Sequence, residues 1–116
     1  MKIQITARHD RSVSEETKNF IESDIQDLAT FYDNIFSVQV VLDKQKHSNG
    51  SVDIVEIIVD IDNKKQVVGK ATEENMGKAF DAAKEKVITQ LKKTNEIKKS
   101  HAGKPSVSEI TGNIVL

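Results

Sequence analysis

Asn49-Gly50, set between two runs of β-type sequence, constrains this chain more than any other dipeptide in it. Asn and Gly accept the positive φ angles that a tight hairpin turn demands, so His47-Ser48-Asn49-Gly50 predicts a hairpin closure. Before it, Phe36, Val38, Val40 and Leu42 alternate with polar residues through a strand that ends near Lys46. After it, Ser51–Ile61 is rich in β-branched residues. Its parity is untidy at Ile57-Ile58, which leaves room for a bulge or a change of face. Asp62-Asn63-Lys64-Lys65 has the composition of a turn, and Gln66–Ala71 reads as another strand.

Two helices and one more strand complete the pattern. Ile3 and Ile5 alternate with Lys2, Gln4 and Thr6, so Met1–Ala7 predicts an opening strand. Ser14 is placed to cap a helix that carries Glu15 and Glu16 in its first turn. Phe20, Ile21, Ile25 and Leu28 make its apolar face, extending to Phe31 or Tyr32, and Glu22, Asp24 and Asp27 make its outer surface acidic. Thr72, followed by Glu73 and Glu74, reads as the start of a second helix through about Lys99. The order β-α-β-β-β-α predicts an α+β fold, a four-stranded sheet with two helices packed on one face. Residues 1–99 are expected to form the domain. Residues 100–116, which contain Gly103, Pro105 and Gly112, are expected to be a flexible tail.

Composition removes several function classes. A chain of 116 residues with 37% hydrophobic and 30% charged side chains reads as one soluble domain. Its apolar runs are too short to span a membrane, and the charged start MKIQITARHDR does not read as a secretory signal. The absence of cysteine excludes disulfides, thiolate metal sites and thiol nucleophiles, and fits a cytoplasmic protein. Asp53, Glu56, Asp60 and Asp62 do not have calcium-loop spacing, and His9, His47 and His101 are too scattered for zinc. No phosphate-binding loop or nucleophile elbow is present. The expectation is a protein with no catalytic residues, no metal, no cofactor and no small-molecule substrate.

The charge is unevenly placed. The whole chain has 17 basic and 18 acidic side chains, net −1. Residues 78–104 hold eight lysines against three acids, net +5, while residues 1–77 hold nine basic and fourteen acidic side chains, net −5. Segregation of this kind builds local potential that a whole-chain value conceals. In the second helix Met76, Phe80, Ala83, Val87 and Leu91 form one apolar stripe. Lys78, Lys86, Lys92 and Lys93 fall on the opposite half, Lys98 and Lys99 extend the basic surface, and Lys84 lies close to the stripe. Ammonium groups on a rigid helix suit a polyanion, because each neutralised phosphate releases counterions. The plain alternative is a solvated surface that keeps the protein soluble.

Further basic candidates lie elsewhere. Arg8-His9-Asp10-Arg11 follows the first strand, and Arg8 and Arg11 could bind phosphates there or belong to an ordinary polar loop. Lys44 and Lys46 share one strand face, where they would extend the basic surface or blunt an edge. Lys64, Lys65 and Lys70 read as ordinary surface charge.

Several of these segments, taken together, resemble one family. They are MKIQIT at the start, FYDNI at 31–35, VQVVLDKQK at 38–46 and NMGKAFDAAKEKVITQLKK at 75–93. In order and spacing they are similar to the ribosome hibernation-promoting factors, also called ribosome-associated inhibitor A or sigma-54 modulation proteins. The resemblance covers about residues 1–99. It implies a cytoplasmic protein that binds small-subunit rRNA in the decoding channel under stress or in stationary phase. Such a protein blocks the mRNA and tRNA sites by occupancy. It also implies an RNA-facing role for Lys18, and a short form, monomeric when free, without the dimerisation domain of long members. Asp24 and Asp27 depart from the family's habit of basic residues in the first helix, and Gly77 stands where an aromatic residue often follows the methionine. Two rival readings are a double-stranded-RNA-binding module and a protein-interaction regulator that uses the acidic first helix. Glu73 and Glu74 argue against the former, which needs basic groups at the start of its second helix.

Overall fold

The computed structural model describes residues 1–8 and 13–103. Its elements are β1 (Lys2–Ala7), α1 (Glu15–Ile25), β2 (Ile35–His47), β3 (Gly50–Ile61), β4 (Lys65–Glu73) and α2 (Met76–Gly103). The strands form one sheet in the spatial order β1-β2-β3-β4. β1 pairs parallel to β2, and the other two pairings are antiparallel. This is the α+β architecture expected from the element order. The hairpin closes where Asn-Gly predicts it: His47 pairs with Gly50, which has φ 130°.

The core lies between the sheet and the helices. Val38, Val40 and Leu42 of β2, Val55, Ile57, Val59 and Ile61 of β3, and Val67 and Ala71 of β4 are buried against Ile21, Ile25 and Leu28 on one side and Ala79, Phe80, Ala83, Val87 and Leu91 on the other. Gly69 allows α2 to lie directly on β4. A Cβ there would overlap the Ala83 carbonyl oxygen and come within 2.8 Å of Val87 Cγ2. Two α2 side chains also cover the outer edge of β4. Lys86 Nζ donates to the Lys70 carbonyl at 2.6 Å, and Gln90 Nε2 donates to the Val68 carbonyl at 2.7 Å. Edge carbonyls satisfied in this way are poor templates for pairing with another chain.

Local details differ from the sequence expectation for identifiable reasons. Ile57-Ile58 is regular, with Ile57 inside and Ile58 half-buried on the opposite face. The irregularity is instead at Phe36. Ile35 pairs with Ile61 and Ser37 with Asp60, so Phe36 is the extra residue of a bulge. It is 63% exposed and does not join the core stripe with Val38. α1 ends at Ile25 and tightens into a 3₁₀ turn over Gln26–Thr30. No glycine or basic side chain is present to close its last turn, and i→i+3 bonds satisfy the carbonyls instead.

Ser14 caps α1 as expected, accepting from the Thr17 N–H at 3.1 Å. The cap of α2 is Asn75, whose Oδ1 accepts from the Lys78 N–H at 2.9 Å. Thr72 does not cap, because it pairs with Ile54 and prolongs β4. α2 runs to Gly103, past the expected limit near Lys99, with no proline to stop it earlier. The expected tail therefore begins within a helix, and its remainder, 104–116, lies outside the described residues.

Candidate nucleic-acid interface

The helix that carries the lysines is held firmly in place. Ala79, Phe80, Ala83, Val87 and Leu91 are buried, and Met76 is partly so. Burial of such a stripe fixes the rotation of the helix about its axis, which decides where its polar residues point. Lys78, Lys86, Lys92 and Lys93 are all exposed. From Lys78 to Lys93 the row covers about 22 Å along the axis.

Each lysine has its own surroundings. Lys78 pairs with Glu74 one turn before it. The hydrogen bond from Lys78, followed by its charge, holds the Glu74 carboxyl below its usual value, and the same bond raises Lys78. The pair is exposed, so it blunts the Lys78 charge without contributing much stability. Lys86 spends one N–H on the β4 carbonyl and retains others, since an ammonium has three donors. Lys92 Nζ lies 5.2 Å from the centre of the Phe31 ring, a cation–π distance that leaves its outer side open to solvent. Lys93 projects near Lys86 on the flank next to β4, two turns later. The exposed Lys70, whose carbonyl receives the Lys86 ammonium, borders that flank, a proximity that the linear pattern conceals, and Lys64 and Lys65 are exposed where β4 begins.

Lys84 behaves differently. Its side chain is only 14% exposed, and Nζ lies 2.8 Å from Asp24 Oδ2 and 3.7 Å from Asp27 Oδ2. Its position near the apolar stripe was the available clue. The pair explains how acids are tolerated on α1: Lys84 engages both Asp24 and Asp27 beside the basic helix. It also joins the helices. Phe20 meets Phe80, Asp24 meets Lys84 and Phe31 meets Lys92, so α1 with its 3₁₀ extension and α2 run side by side in the same direction. Replacing Lys84 with Met is expected to lower stability by about 1–2 kcal/mol, since it leaves a half-buried carboxylate facing apolar atoms. Thermal denaturation of that variant checks the figure, and adding Asp24→Asn is expected to restore most of the loss.

The remaining candidates lie at the other end of the molecule. Arg8 is exposed just after β1, with its N–H donated to the Leu42 carbonyl at 2.8 Å. Lys44 and Lys46 are exposed on the hairpin, opposite Asp53 and Ser51 in the register. Lys18 is exposed on α1, on the flank away from Phe20 and Asp24. Together with Lys78 these residues mark the end that contains both helix N-termini. Arg11 lies outside the described residues, as does the Lys98 side chain, although its backbone belongs to α2. The structure thus separates Lys86, Lys92 and Lys93 from the sparser basic groups at the opposite end. Among the described residues, no helix is long and apolar enough to cross a membrane and no group of acids and histidines could hold a metal ion.

A single mixed sheet carrying two co-directional helices, one with an exposed lysine row, defines a compact α+β module with a cationic helix surface. The chain belongs to the sigma 54 modulation protein / S30EA ribosomal protein family, whose sequence pattern matches residues 3–99. Its fold is similar to that of the Protein Y N-terminal domain from Thermus thermophilus, with a TM-score of 0.68 and 21% identity, covering 81% of this chain and 99% of that one. It is also similar to a ribosomal subunit interface protein from Coxiella burnetii, with a TM-score of 0.66 and 21% identity, covering 83% and 99%. No curated protein matches the sequence.

Proposed function

We propose that this protein binds the small ribosomal subunit, with the exposed lysines of α2 meeting rRNA phosphates. It occupies the decoding channel over the mRNA and tRNA sites and silences translation under stress or in stationary phase. It acts by occupancy, without chemistry, as a cytoplasmic protein that is monomeric when free. Residues 1–99 are the ribosome-binding unit. Lys86, Lys92 and Lys93 supply most of the contact, and Lys78, Lys98, Lys18, Arg8, Arg11, Lys44 and Lys46 add outlying charge.

One observation carries this reading. In a chain of net charge −1, Lys86, Lys92 and Lys93 stand exposed on a helix whose opposite face is locked into the core. A rigid row of cations suits the fixed phosphate spacing of folded RNA, where shape matters more than base identity. Family membership and the subunit-interface relative from Coxiella burnetii support the choice of the ribosome as the polyanion.

The test is sucrose-gradient sedimentation of tagged protein with small subunits. At low salt the protein is expected to travel with the subunits, and at high salt to remain at the top of the gradient. Subunits already loaded with mRNA and initiator tRNA are expected to exclude it. Unimpaired binding to loaded subunits would remove the decoding channel as the site.

A further inference from the structure

The end of the helix pair that holds both N-termini, away from Lys86, Lys92 and Lys93, carries a second feature beside its sparse basic groups. There, between the first turns of α1 and α2, lies an apolar cleft with a volume of about 120 Å³. Phe20, Met76, Gly77 and Phe80 form its walls, and Thr17 and Asp81 stand among the lining residues. Phe20 is 60% exposed although it packs edge-on against Phe80, with ring centres 6.3 Å apart and planes at 63°. Gly77 contributes no side chain, and a Cβ there would have only Asn75 Oδ1 nearby, at 3.4 Å. An exposed aromatic ring beside an unfilled cleft invites an apolar side chain from a partner.

The surrounding charge selects the partner. Asp81 is exposed at the cleft. Glu16 lies one helical turn before Phe20 on the same flank of α1 and is also exposed. The cations nearby are engaged, Lys78 by Glu74 and Lys84 by Asp24. Lys18 lies on the other flank of α1. Asp81 at the cleft and Glu16 beside it attract arginine and lysine to its rim. We infer that the cleft between the helix N-termini docks a basic protein segment that inserts one apolar side chain against Phe20. The cleft is distinct from Lys86, Lys92 and Lys93, so a basic protein segment can dock beside Asp81 while those three lysines meet RNA.

The probe is a fluorescein-labelled peptide, Arg-Lys-Arg-Leu-Arg-Lys-Arg, titrated with the full chain and followed by anisotropy. Phe20→Ser, Asp81→Lys and Gly77→Leu are each expected to weaken binding by about tenfold or more. Gly77→Leu also fills the cleft while raising helix propensity, so its loss of binding should accompany an unchanged or higher thermal midpoint. Replacing the peptide's leucine by glycine should weaken binding to a similar degree. Lys92→Glu with Lys93→Glu should leave peptide binding intact, which separates this site from the rRNA surface. The inference is overturned if the wild-type chain does not bind, if folded Phe20→Ser binds equally well, or if a labelled single-stranded RNA oligomer, titrated in place of the peptide, binds the wild-type chain and loses affinity in Phe20→Ser and Gly77→Leu.

Discussion

Gly69→Val is expected to lower the thermal midpoint of the chain by about 10–20 °C, a loss of about 2–3 kcal/mol for a domain of this size. The cause is the approach of two backbones. Even a Cβ at position 69 would overlap the Ala83 carbonyl oxygen and press on Val87 Cγ2 and Lys86 Cβ. The carbonyl belongs to a helical hydrogen-bond ladder and cannot rotate away, so α2 must lift from β4 as a unit. Lifting it thins the contacts of Ala83 and Val87 with the sheet, both of which are fully buried. Adding Val87→Ala should recover only part of the loss, because it relieves the side-chain clash and not the backbone one. A midpoint within about 2 °C of wild type would mean that the packing of α2 on β4 is looser than described.

Combining Lys86→Gln with Lys92→Glu and Lys93→Glu is expected to weaken binding to small subunits by about a hundredfold or more at moderate salt. The choice at position 86 follows from the structure. Lys86 donates to the Lys70 carbonyl, and a glutamate there would place a carboxylate against that oxygen and disturb the β4 edge. Glutamine keeps a donor and removes the charge. Lys92 lies over Phe31, so its loss forfeits about 0.5–1 kcal/mol of cation–π attraction and shifts the midpoint by a few degrees at most. Lys93 is exposed, and reversing it should leave stability unchanged. The signature is a large loss of binding in a protein that melts almost normally. A loss of binding that tracks a loss of fold would point to the scaffold instead.

Much of this architecture was legible because local and global signals agree. Asn49-Gly50, the alternation through Val38, Val40 and Leu42, and the stripe from Phe80 to Leu91 each specify an element and its buried face. The failures occur where tertiary context decides. Phe36 has the right parity for the core, but a one-residue bulge turns it outward. Phe20 is apolar and sits beside the α1 stripe, yet it lies on the flank that faces α2. Thr72 is a good cap by type, but its pairing with Ile54 commits it to the strand, and Asn75 takes the role. Within the lysine row the pattern located the exposed ammoniums. It did not reveal that Lys84 engages Asp24 and Asp27, because those partners are about sixty positions away in the chain. Nor could it indicate that Gly69 is the contact point of α2 with β4, since nothing in its neighbourhood distinguishes it from an ordinary strand glycine.

The most direct test of the lysine row as an RNA-binding surface is the salt dependence of small-subunit affinity, measured for wild type and for the variant with substitutions at Lys86, Lys92 and Lys93. A plot of log affinity against log salt should be steep for wild type, and its slope should fall by about 2–3 in the variant, roughly 0.7–0.9 for each phosphate contact removed. Parallel plots, with the two proteins differing by a constant factor or not at all, would show that these ammonium groups do not meet phosphates, and would contradict the account.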